Sequence, residues 1–188
     1  RLCTLYDLGM RHIPLHTATA DALKPFGSII GTDPSVPKLP VSFYDGHVDV
    51  RMPASFESAA PPQLTVCRIQ PRPMVIDYVE RHPQHTQGFV PLGGKPFVAV
   101  FAPPSEDLPT PDALRAFKFD GTCGFLMHKH VWHEFPFAVE ADTDLIVILS
   151  EATNANLQED PNGLGEAQGP DLEKLNYRTR VGDISIAL

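Results

Sequence analysis

Residues 74–82 read Met-Val-Ile-Asp-Tyr-Val-Glu-Arg-His and have the alternating pattern of a β-strand. Successive strand side chains point to opposite faces, so alternate residues share a face. Here that face is predicted to carry Met74, Ile76, Tyr78, Glu80 and His82. An apolar face that ends in a carboxylate and an imidazole must supply partners for both, because burial without partners is costly. A polar cluster at the mouth of an apolar barrel meets this need, and small-molecule sites have the same form.

The composition limits the functions that the chain can have. Its 188 residues suffice for one domain with a sizeable core, and 43% of them are hydrophobic. A net charge of −8 without a basic run argues against nucleic-acid binding. No apolar run approaches the length of a membrane span, and the first residues lack a signal-peptide pattern. The three scattered cysteines form no Cys-x-x-Cys pair, so we expect a cytoplasmic protein with reduced thiols.

Frequent turn residues favour an all-β fold. Twenty prolines and thirteen glycines divide the chain into short segments, most of which have the pattern of strands. Only residues 19–24 and 110–117 resemble helices, and both are short. In the second, Thr110 suits an N-cap and Pro111 suits the first helical position. Many short strands at turn-marked intervals are typical of a sandwich or barrel.

The chain is predicted to form one domain, residues 1–188. Residues 41–50 contain an Asp-Gly turn between two alternating runs, which predicts a hairpin. Residues 151–176 are rich in polar side chains and are predicted to be an exposed excursion or tail within that domain. The alternating segment 177–188 is predicted to return as an edge strand.

Five of the eight histidines lie in two short segments, residues 80–87 and 128–133. In the first segment, Glu80, His82 and Gln87 have the spacing of the first motif of cupin barrels. That motif is His-x-His followed after a few residues by Glu, so Glu and Gln here replace a histidine and a glutamate. The first segment therefore predicts a variant of the cupin site.

A histidine from a later strand completes the cupin motif, and His133 is placed to do so. Strand residues two apart point inward together and a neighbouring strand adds a third group, so Glu80, His82, Gln87 and His133 are predicted to converge. This set would hold one divalent metal, Mn²⁺, Ni²⁺, Fe²⁺ or Zn²⁺, only loosely, because one donor is a neutral amide. The alternative is a hydrogen-bonded polar cluster without any metal.

Other polar residues near these motifs have simpler interpretations. His85 is out of phase with His82 and lies in a turn, so we expect it to be solvated, and the same holds for His130. Trp132 is expected to pack beside the site. Arg68 lies in a strand otherwise suited to burial and needs an anionic partner, either an internal acid or a ligand carboxylate.

Five pieces of the chain together resemble the ureidoglycolate lyase family in their order and spacing. They are Arg68-Ile69-Gln70-Pro71, Glu80-Arg81-His82-Pro83, Thr86-Gln87-Gly88-Phe89-Val90-Pro91, Leu114-Arg115-Ala116-Phe117 and His128-Lys129-His130-Val131-Trp132-His133. Weaker likeness extends upstream to the Phe26-Gly27 turn and downstream to Asp144. The resemblance implies a cupin-type antiparallel β-barrel, that is a double-stranded β-helix or jelly roll, with one or two short helices. It also implies a homodimer.

The family splits ureidoglycolate, a hydroxy-ureido acid of allantoin breakdown, into glyoxylate and urea. By resemblance, Glu80 or His133 is the candidate base for the hydroxyl proton, and His128 is the candidate acid for the departing urea. A divalent metal, if bound, would lower the pKa of the substrate hydroxyl. Binding of the substrate carboxylate is assigned to Arg68 and Lys129, while His82 would orient the substrate or hold a metal.

Three departures from the family pattern keep other functions open. Lys129 replaces a common arginine, residues 134–136 replace a histidine-proline pair, and residues 149–151 stand where the family has Asp-Arg. The same anchored acid and base would also support amidohydrolysis of ureidoglycolate, which releases ammonia and carbon dioxide. From another class, a cupin that binds a small acid without turning it over fits the same residues.

Overall fold

The computed structural model describes residues 10–140, 142–158 and 165–187. Across these residues the chain forms thirteen strands and three short helices. The strands are β1 (Arg11–Thr17), β2 (Gly27–Ile30), β3 (Pro62–Ile69), β4 (Tyr78–Arg81), β5 (Gln87–Leu92), β6 (Phe97–Ala102), β7 (Arg115–Phe119), β8 (Gly124–Met127), β9 (Trp132–Ala138), β10 (Thr143–Ser150), β11 (Ala167–Gly169), β12 (Leu172–Asn176) and β13 (Ile184–Ala187). The helices are α1 (Ala20–Leu23), α2 (Glu151–Leu157) and α3 (Tyr177–Val181). Among the described residues, no helix has the length and apolar character needed to span a membrane.

The strands form two sheets. The larger has the order β11-β12-β4-β9-β6-β7-β1-β13, and the smaller has the order β2-β8-β5-β10-β3. Neighbouring strands are antiparallel except where β1 pairs with β7 and β13, both in parallel. The prediction of an all-β, cupin-type barrel is confirmed. The described part of the chain contains three short helices, whereas one or two were predicted.

Aromatic side chains fill the space between the two sheets. Phe89 and Phe125 of the smaller sheet pack there with Phe97, Phe101 and Phe117 of the larger sheet. The ring centroids of Phe101 and Phe125 are 5.0 Å apart, an ordinary distance for aromatic packing. We call this interior the barrel core.

A second apolar cluster covers the opposite face of the larger sheet. It includes Val79 of β4, Trp132 of β9, Tyr177 of α3 and Ile184 of β13. The centre of the larger sheet is therefore buried on both faces, which explains why β6 is buried at all of its positions and reads as a continuous apolar run. A polar side chain of this sheet must find its partner inside the protein.

The strand predicted over residues 74–82 is interrupted at its middle. Val75 pairs with Ser185 of β13, whereas β4 pairs with β12 and β9. The change of partner breaks the predicted alternation, because Ile76 and Val79 both pack in the second cluster. The prediction that Ile76 shares a face with Glu80 is therefore wrong.

Two other local predictions differ from the structure. Residues 111–113 form a single 3₁₀ turn, and the remainder of the predicted helix is β7, which pairs with β6 through Ala116 and its neighbours. In the predicted hairpin, only Phe43 and Val48 form a bridge, around a 3₁₀ turn. Residues 41–50 are exposed, so no neighbouring strand stabilises them. The helix predicted near residue 20 is confirmed as α1, whose N-cap Thr19 accepts from the backbone N–H of Ala22.

The C-terminal part is more ordered than the polar composition indicates. The segment 151–176 contains α2 and, beyond residues 159–164, which lie outside the described part, the strands β11 and β12. β12 pairs with β4 in antiparallel register. The predicted edge strand is present as β13 at the end of the larger sheet, after α3. We call residues 167–176 the C-terminal hairpin.

Candidate functional site

Two polar side chains face each other across β4 and β9. Glu80 is directly opposite His133, and His133 is directly opposite Phe101 on β6. Directly opposite residues share a face of the sheet, and Phe101 packs in the barrel core. Glu80 and His133 therefore point into the barrel.

A β-bulge keeps His133 in this orientation. Val98 pairs with Phe137 and Val100 pairs with Glu134, so two residues of β9 oppose Ala99. In a regular strand Phe137 would share a face with His133, because the two residues are an even number of positions apart. The extra residue reverses the alternation, so Phe137 packs in the second cluster instead. The sequence pattern of β9 alone does not show this reversal.

Glu80, His82 and His133 form a compact group, which we call the acid–histidine cluster. Glu80 Oε1 lies 3.3 Å from His133 Nε2 and 3.6 Å from His82 Nε2. The three residues are 8%, 2% and 1% exposed, respectively. Each offers one donor atom, and these atoms all lie within 4.8 Å of one another. The cluster can bind a metal ion.

The hydrogen bonds of the two imidazoles determine which nitrogen carries the proton. His133 Nδ1 is 3.2 Å from the carbonyl oxygen of Val131, and His82 Nδ1 is 3.1 Å from that of Asp171. A carbonyl only accepts, so in the neutral ring Nδ1 bears the hydrogen and Nε2 presents a lone pair. Both Nε2 atoms are buried and make no hydrogen bond to any described residue.

The electrostatics of the cluster favour a cation. Burial alone would raise the pKa of Glu80, but His133 and His82 in their protonated forms donate hydrogen bonds and positive charge that outweigh it and hold that pKa well below its usual range. Burial lowers the pKa of His133, although Glu80 opposes this effect. At neutral pH the cluster therefore places the neutral imidazole of His133 against an ionised carboxylate. Two imidazoles and one carboxylate are a donor set that Zn²⁺, Fe²⁺, Mn²⁺ and Ni²⁺ accept, so the residues present fit such an ion.

Gln87 was predicted to complete this donor set. It is the buried first residue of β5, opposite Met127 of β8, and Met127 packs in the barrel core. Its side chain therefore points between the sheets, and its Oε1 is buried without a hydrogen bond from the described residues. Ligation by Gln87 stays a prediction.

Three other predicted site residues lie at the surface. Arg68 makes a two-pronged ion pair with Asp144, with distances of 2.8 and 2.9 Å, on the outer face of the smaller sheet. Lys129 Nζ is 2.6 Å from a carboxylate oxygen of Glu57, and His128 is exposed. None of these three residues lines the pocket beside the cluster. The two cations already have acidic partners.

His85, by contrast, was predicted to be solvated, and that prediction is wrong. It is fully buried, and its ring centroid is 4.4 Å from that of His82. Its Nδ1 is 2.8 Å from a carboxylate oxygen of Asp171. Burial, together with the nearby His82, lowers the pKa of His85 to about 4. The partner is remote in sequence, so strand alternation gave no signal for this contact.

A pocket of about 440 Å³ opens onto the cluster, with Glu80 and His133 in its wall. Lys174 of the C-terminal hairpin also lines it, directly opposite Glu80 on β12. Lys174 Nζ lies 4.7 Å from the ring centroid of Tyr78, and no described carboxylate is within ion-pair distance of it. The pocket therefore combines a carboxylate–imidazole pair with a cation that has no ion-pair partner among the described residues.

Glu134, next to His133, binds the backbone at the start of β4. Its Oε2 accepts hydrogen bonds of 2.8 Å from the backbone N–H groups of Asp77 and Tyr78, where the chain changes strand partner. Its Oε1 accepts from the N–H of Phe135 at 3.0 Å. Burial raises the pKa of Glu134 to about 7, against the opposing effect of these hydrogen bonds and of Arg72. Since both oxygens already accept hydrogen bonds, Glu134 holds the start of β4 and thereby places Glu80.

The chain is similar in sequence to known proteins of one enzyme family. The model of the ureidoglycolate lyase family matches residues 10–163, so the C-terminal hairpin lies beyond the match. A ureidoglycolate lyase of Azotobacter vinelandii is 33% identical over 154 residues, which are 80% of this chain and 92% of that protein. Those of Pseudomonas syringae pathovar tomato and Stutzerimonas stutzeri are 33% and 32% identical, and each match covers 80% of this chain and 89% of the relative. With the barrel and the buried acid–histidine cluster, these matches show that the chain belongs to the ureidoglycolate lyase family.

Proposed function

We propose that this protein is a ureidoglycolate lyase, which splits ureidoglycolate into glyoxylate and urea. The observation that carries the proposal is the pocket in which His133, Glu80 and Lys174 meet, in a chain of this family. The substrate has a carboxylate, a hydroxyl group on the reacting carbon and a ureido group on the same carbon. The pocket offers a group for each of the first two.

Lys174 binds the substrate carboxylate in this proposal. It is a pocket cation without an ion-pair partner in the described ranges, unlike Arg68 and Lys129, which were predicted for this role. Arg72 also lines the pocket, but its guanidinium lies 3.7 Å from the ring centroid of Phe137 and donates to the carbonyl oxygen of Phe135. An ammonium group acts as a point charge, which suits a small acid that must rotate into place.

His133 moves the proton. Its Nε2 lone pair takes the hydroxyl proton, the O–H electrons form the C=O bond of glyoxylate, and the C–N bond breaks with its electrons going to the urea nitrogen. The imidazolium, stabilised by Glu80 at 3.3 Å, then returns the proton to that nitrogen. Atoms balance without water, which distinguishes this reaction from amidohydrolysis. No separate acid is needed, so the exposed His128 has no role in the step.

Glu80, His82 and His133 are also the side chains that would hold a divalent metal. When bound, the metal would supply Lewis-acid chemistry that lowers the pKa of the substrate hydroxyl. The buried Nε2 atoms that lack hydrogen bonds from the described residues support this second form of the site. Metal analysis of the purified protein and activity after chelation distinguish the two forms. Full activity of the metal-free protein would mean that His133 takes the hydroxyl proton without the help of a metal.

Product analysis after addition of racemic ureidoglycolate tests the function. Urea and glyoxylate in equal amounts are expected, whereas ammonia would indicate the amidohydrolase and no product would indicate a binding protein. His133→Asn should abolish the reaction. His130→Asn is the matched control, because His130 is an exposed residue of the same segment with a φ of 66°, which asparagine tolerates. Activity retained in His133→Asn would contradict the proposed mechanism.

We also propose a homodimer. The outer face of the smaller sheet exposes Leu64 and Val66, which are 75% and 67% exposed, with Ile146 beside Val66 in register. A contiguous exposed apolar row is typical of an interaction surface. Light scattering should give twice the chain mass of 20.7 kDa, and Val66→Lys should shift the protein to monomer. Met52→Lys, in an exposed loop, is the control, and a wild-type monomer at high concentration would contradict the proposal.

We also propose a cytoplasmic location and a single domain, each supported by one observation. Cys67 and Cys123 are free thiols, as expected in a reducing compartment. β12 and β13 are built into the larger sheet, so residues 165–187 should unfold together with the barrel. Cell fractionation and a single thermal transition would support these two proposals.

A further inference from the structure

The C-terminal hairpin, beyond the residues that match the family, places its tip inside the protein. The hairpin joins β11 to β12 through a turn at residues 170–171. Turn tips are normally exposed, but Asp171 is fully buried. A buried aspartate must be matched by hydrogen-bond donors, so its contacts show what this tip does.

Asp171 binds two histidines through different atoms. Its carboxylate Oδ2 lies 2.8 Å from His85 Nδ1, and its carbonyl oxygen lies 3.1 Å from His82 Nδ1. The other carboxylate oxygen, Oδ1, accepts a hydrogen bond of 2.8 Å from the backbone N–H of Gln84. The remaining contacts are a hydrogen bond from Ser150 Oγ to Oδ2 and one of 3.0 Å from Thr153 Oγ1 to the carbonyl oxygen.

These contacts determine the tautomers of both rings. A carboxylate and a carbonyl oxygen only accept, so each neutral imidazole must carry its hydrogen on Nδ1. Each Nε2 then presents a lone pair, and both Nε2 atoms are buried without a hydrogen-bond partner in the described chain. His82 Nε2 faces Glu80, and the His85 ring lies against the His82 ring.

We propose that Asp171 is a positioning residue of the candidate active site, which holds His82 and His85 with Nδ1 protonated and Nε2 free. The inference rests on the proposed function only for its effect on activity. The C-terminal hairpin thereby adds His85 to the site as a further imidazole acceptor behind His82. A carboxylate that fixes ring orientation and tautomer in this way is a common support for histidines that bind metals or move protons.

The C-terminal hairpin is also attached to the sheet by contacts that do not involve Asp171. Glu173 of the same hairpin makes an ion pair with Arg81 of β4, with an oxygen–Nε distance of 2.7 Å, and β12 pairs with β4 along the backbone. The hairpin thus has its own attachment to the sheet. Glu173→Gln makes the same carboxylate-to-amide change as Asp171→Asn, in the same hairpin, and is the matched control.

Nitrogen-15 NMR of histidine-labelled, metal-free wild-type protein reports the tautomers directly and needs neither substrate nor variant. We expect His82 and His85 with protonated Nδ1 and unprotonated Nε2. A His85 ring with its hydrogen on Nε2 would overturn the proposal, whether or not ureidoglycolate is the substrate. The measurement therefore separates this inference from the proposed function.

Asp171→Asn gives a specific second result. The N–H of Gln84 requires an acceptor, so the amide oxygen stays at the Oδ1 position and the amide nitrogen faces His85. His85 Nδ1 must then accept, and its hydrogen should move to Nε2, while His82 keeps its tautomer because the carbonyl of residue 171 is unchanged. In the same variant kcat/KM for ureidoglycolate should fall by about tenfold or more. Glu173→Gln should change neither tautomers nor activity.

Each outcome of the variant experiment decides the matter. A tautomer change with lower activity in Asp171→Asn alone supports the positioning role. Equal loss of activity in Asp171→Asn and Glu173→Gln, without a tautomer change, would show that the hairpin matters only as structure and would overturn it. If Asp171→Asn does not fold, the wild-type tautomers remain the deciding observation.

Discussion

Replacement of Glu80 by glutamine should stabilise the metal-free protein, although it removes a buried charge. In the wild type, Glu80 Oε1 faces the Nε2 lone pairs of His133 at 3.3 Å and of His82 at 3.6 Å. An amide nitrogen at the same position has two hydrogens, one for each lone pair. Repulsion among acceptors would thus be replaced by two hydrogen bonds.

The expected gain follows from those two contacts. Each new hydrogen bond contributes about 0.5–1.5 kcal/mol, so Glu80→Gln should raise the free energy of unfolding by about 1–3 kcal/mol. In a domain of this size each kcal/mol shifts Tm by about 2–4 °C, which gives a rise of about 2–12 °C. If His133 were instead protonated, the change would break a buried ion pair and cost about 3–5 kcal/mol.

Thermal melts at slightly alkaline pH, with chelator and with excess Zn²⁺ or Mn²⁺, measure both effects. The chelated variant should melt above the chelated wild type. Added metal should stabilise the wild type, by about 2.7 kcal/mol at one hundred times Kd, but not Glu80→Gln. A chelated variant that melts below the wild type would refute the description of the cluster as facing acceptors and would favour a protonated His133.

Three further substitutions test the neighbouring groups. Lys174→Met should raise KM for ureidoglycolate in steady-state kinetics, because the substrate loses a charged hydrogen bond that contributes about 1.5–3 kcal/mol. Lys129→Met should leave KM unchanged, and equal effects of the two substitutions would contradict the assignment. Glu134→Ala should lower the free energy of unfolding, measured in urea, by about 2–6 kcal/mol. The reason is that two backbone N–H groups at the start of β4 lose their acceptor, at a cost of about 1–3 kcal/mol each. An unchanged urea midpoint would show that water replaces the lost carboxylate. Arg68→Lys should change the melting temperature very little, since its pair with Asp144 is exposed to solvent, and should leave KM unchanged. A raised KM would restore Arg68 to substrate binding.

Local patterns sufficed where a strand keeps the same neighbour along its whole length. The alternation of residues 64–70 and the apolar run of residues 144–149 each predict a strand, within two residues of the ends of β3 and β10, because each pattern reflects one sheet environment. The pattern failed for residues 114–117, whose helix-like composition was overridden by pairing with β6. It also failed at Ile76, where the chain changes partner strands and Glu134 supplies the acceptor that no strand provides.

The sequence by itself determined the fold class, the family and the meeting of Glu80 with His82 and His133, because strand parity and motif spacing are local properties. Only the tertiary structure showed that Lys174, Asp171 and His85 lie at the candidate site. These groups meet through pairing of the C-terminal hairpin with β4, across some 90 residues of chain, as in the contact from His82 to Asp171 with a separation of 89. Alternation along a strand carries no information about which distant strand will lie beside it, and the burial of His85 depends on that neighbour.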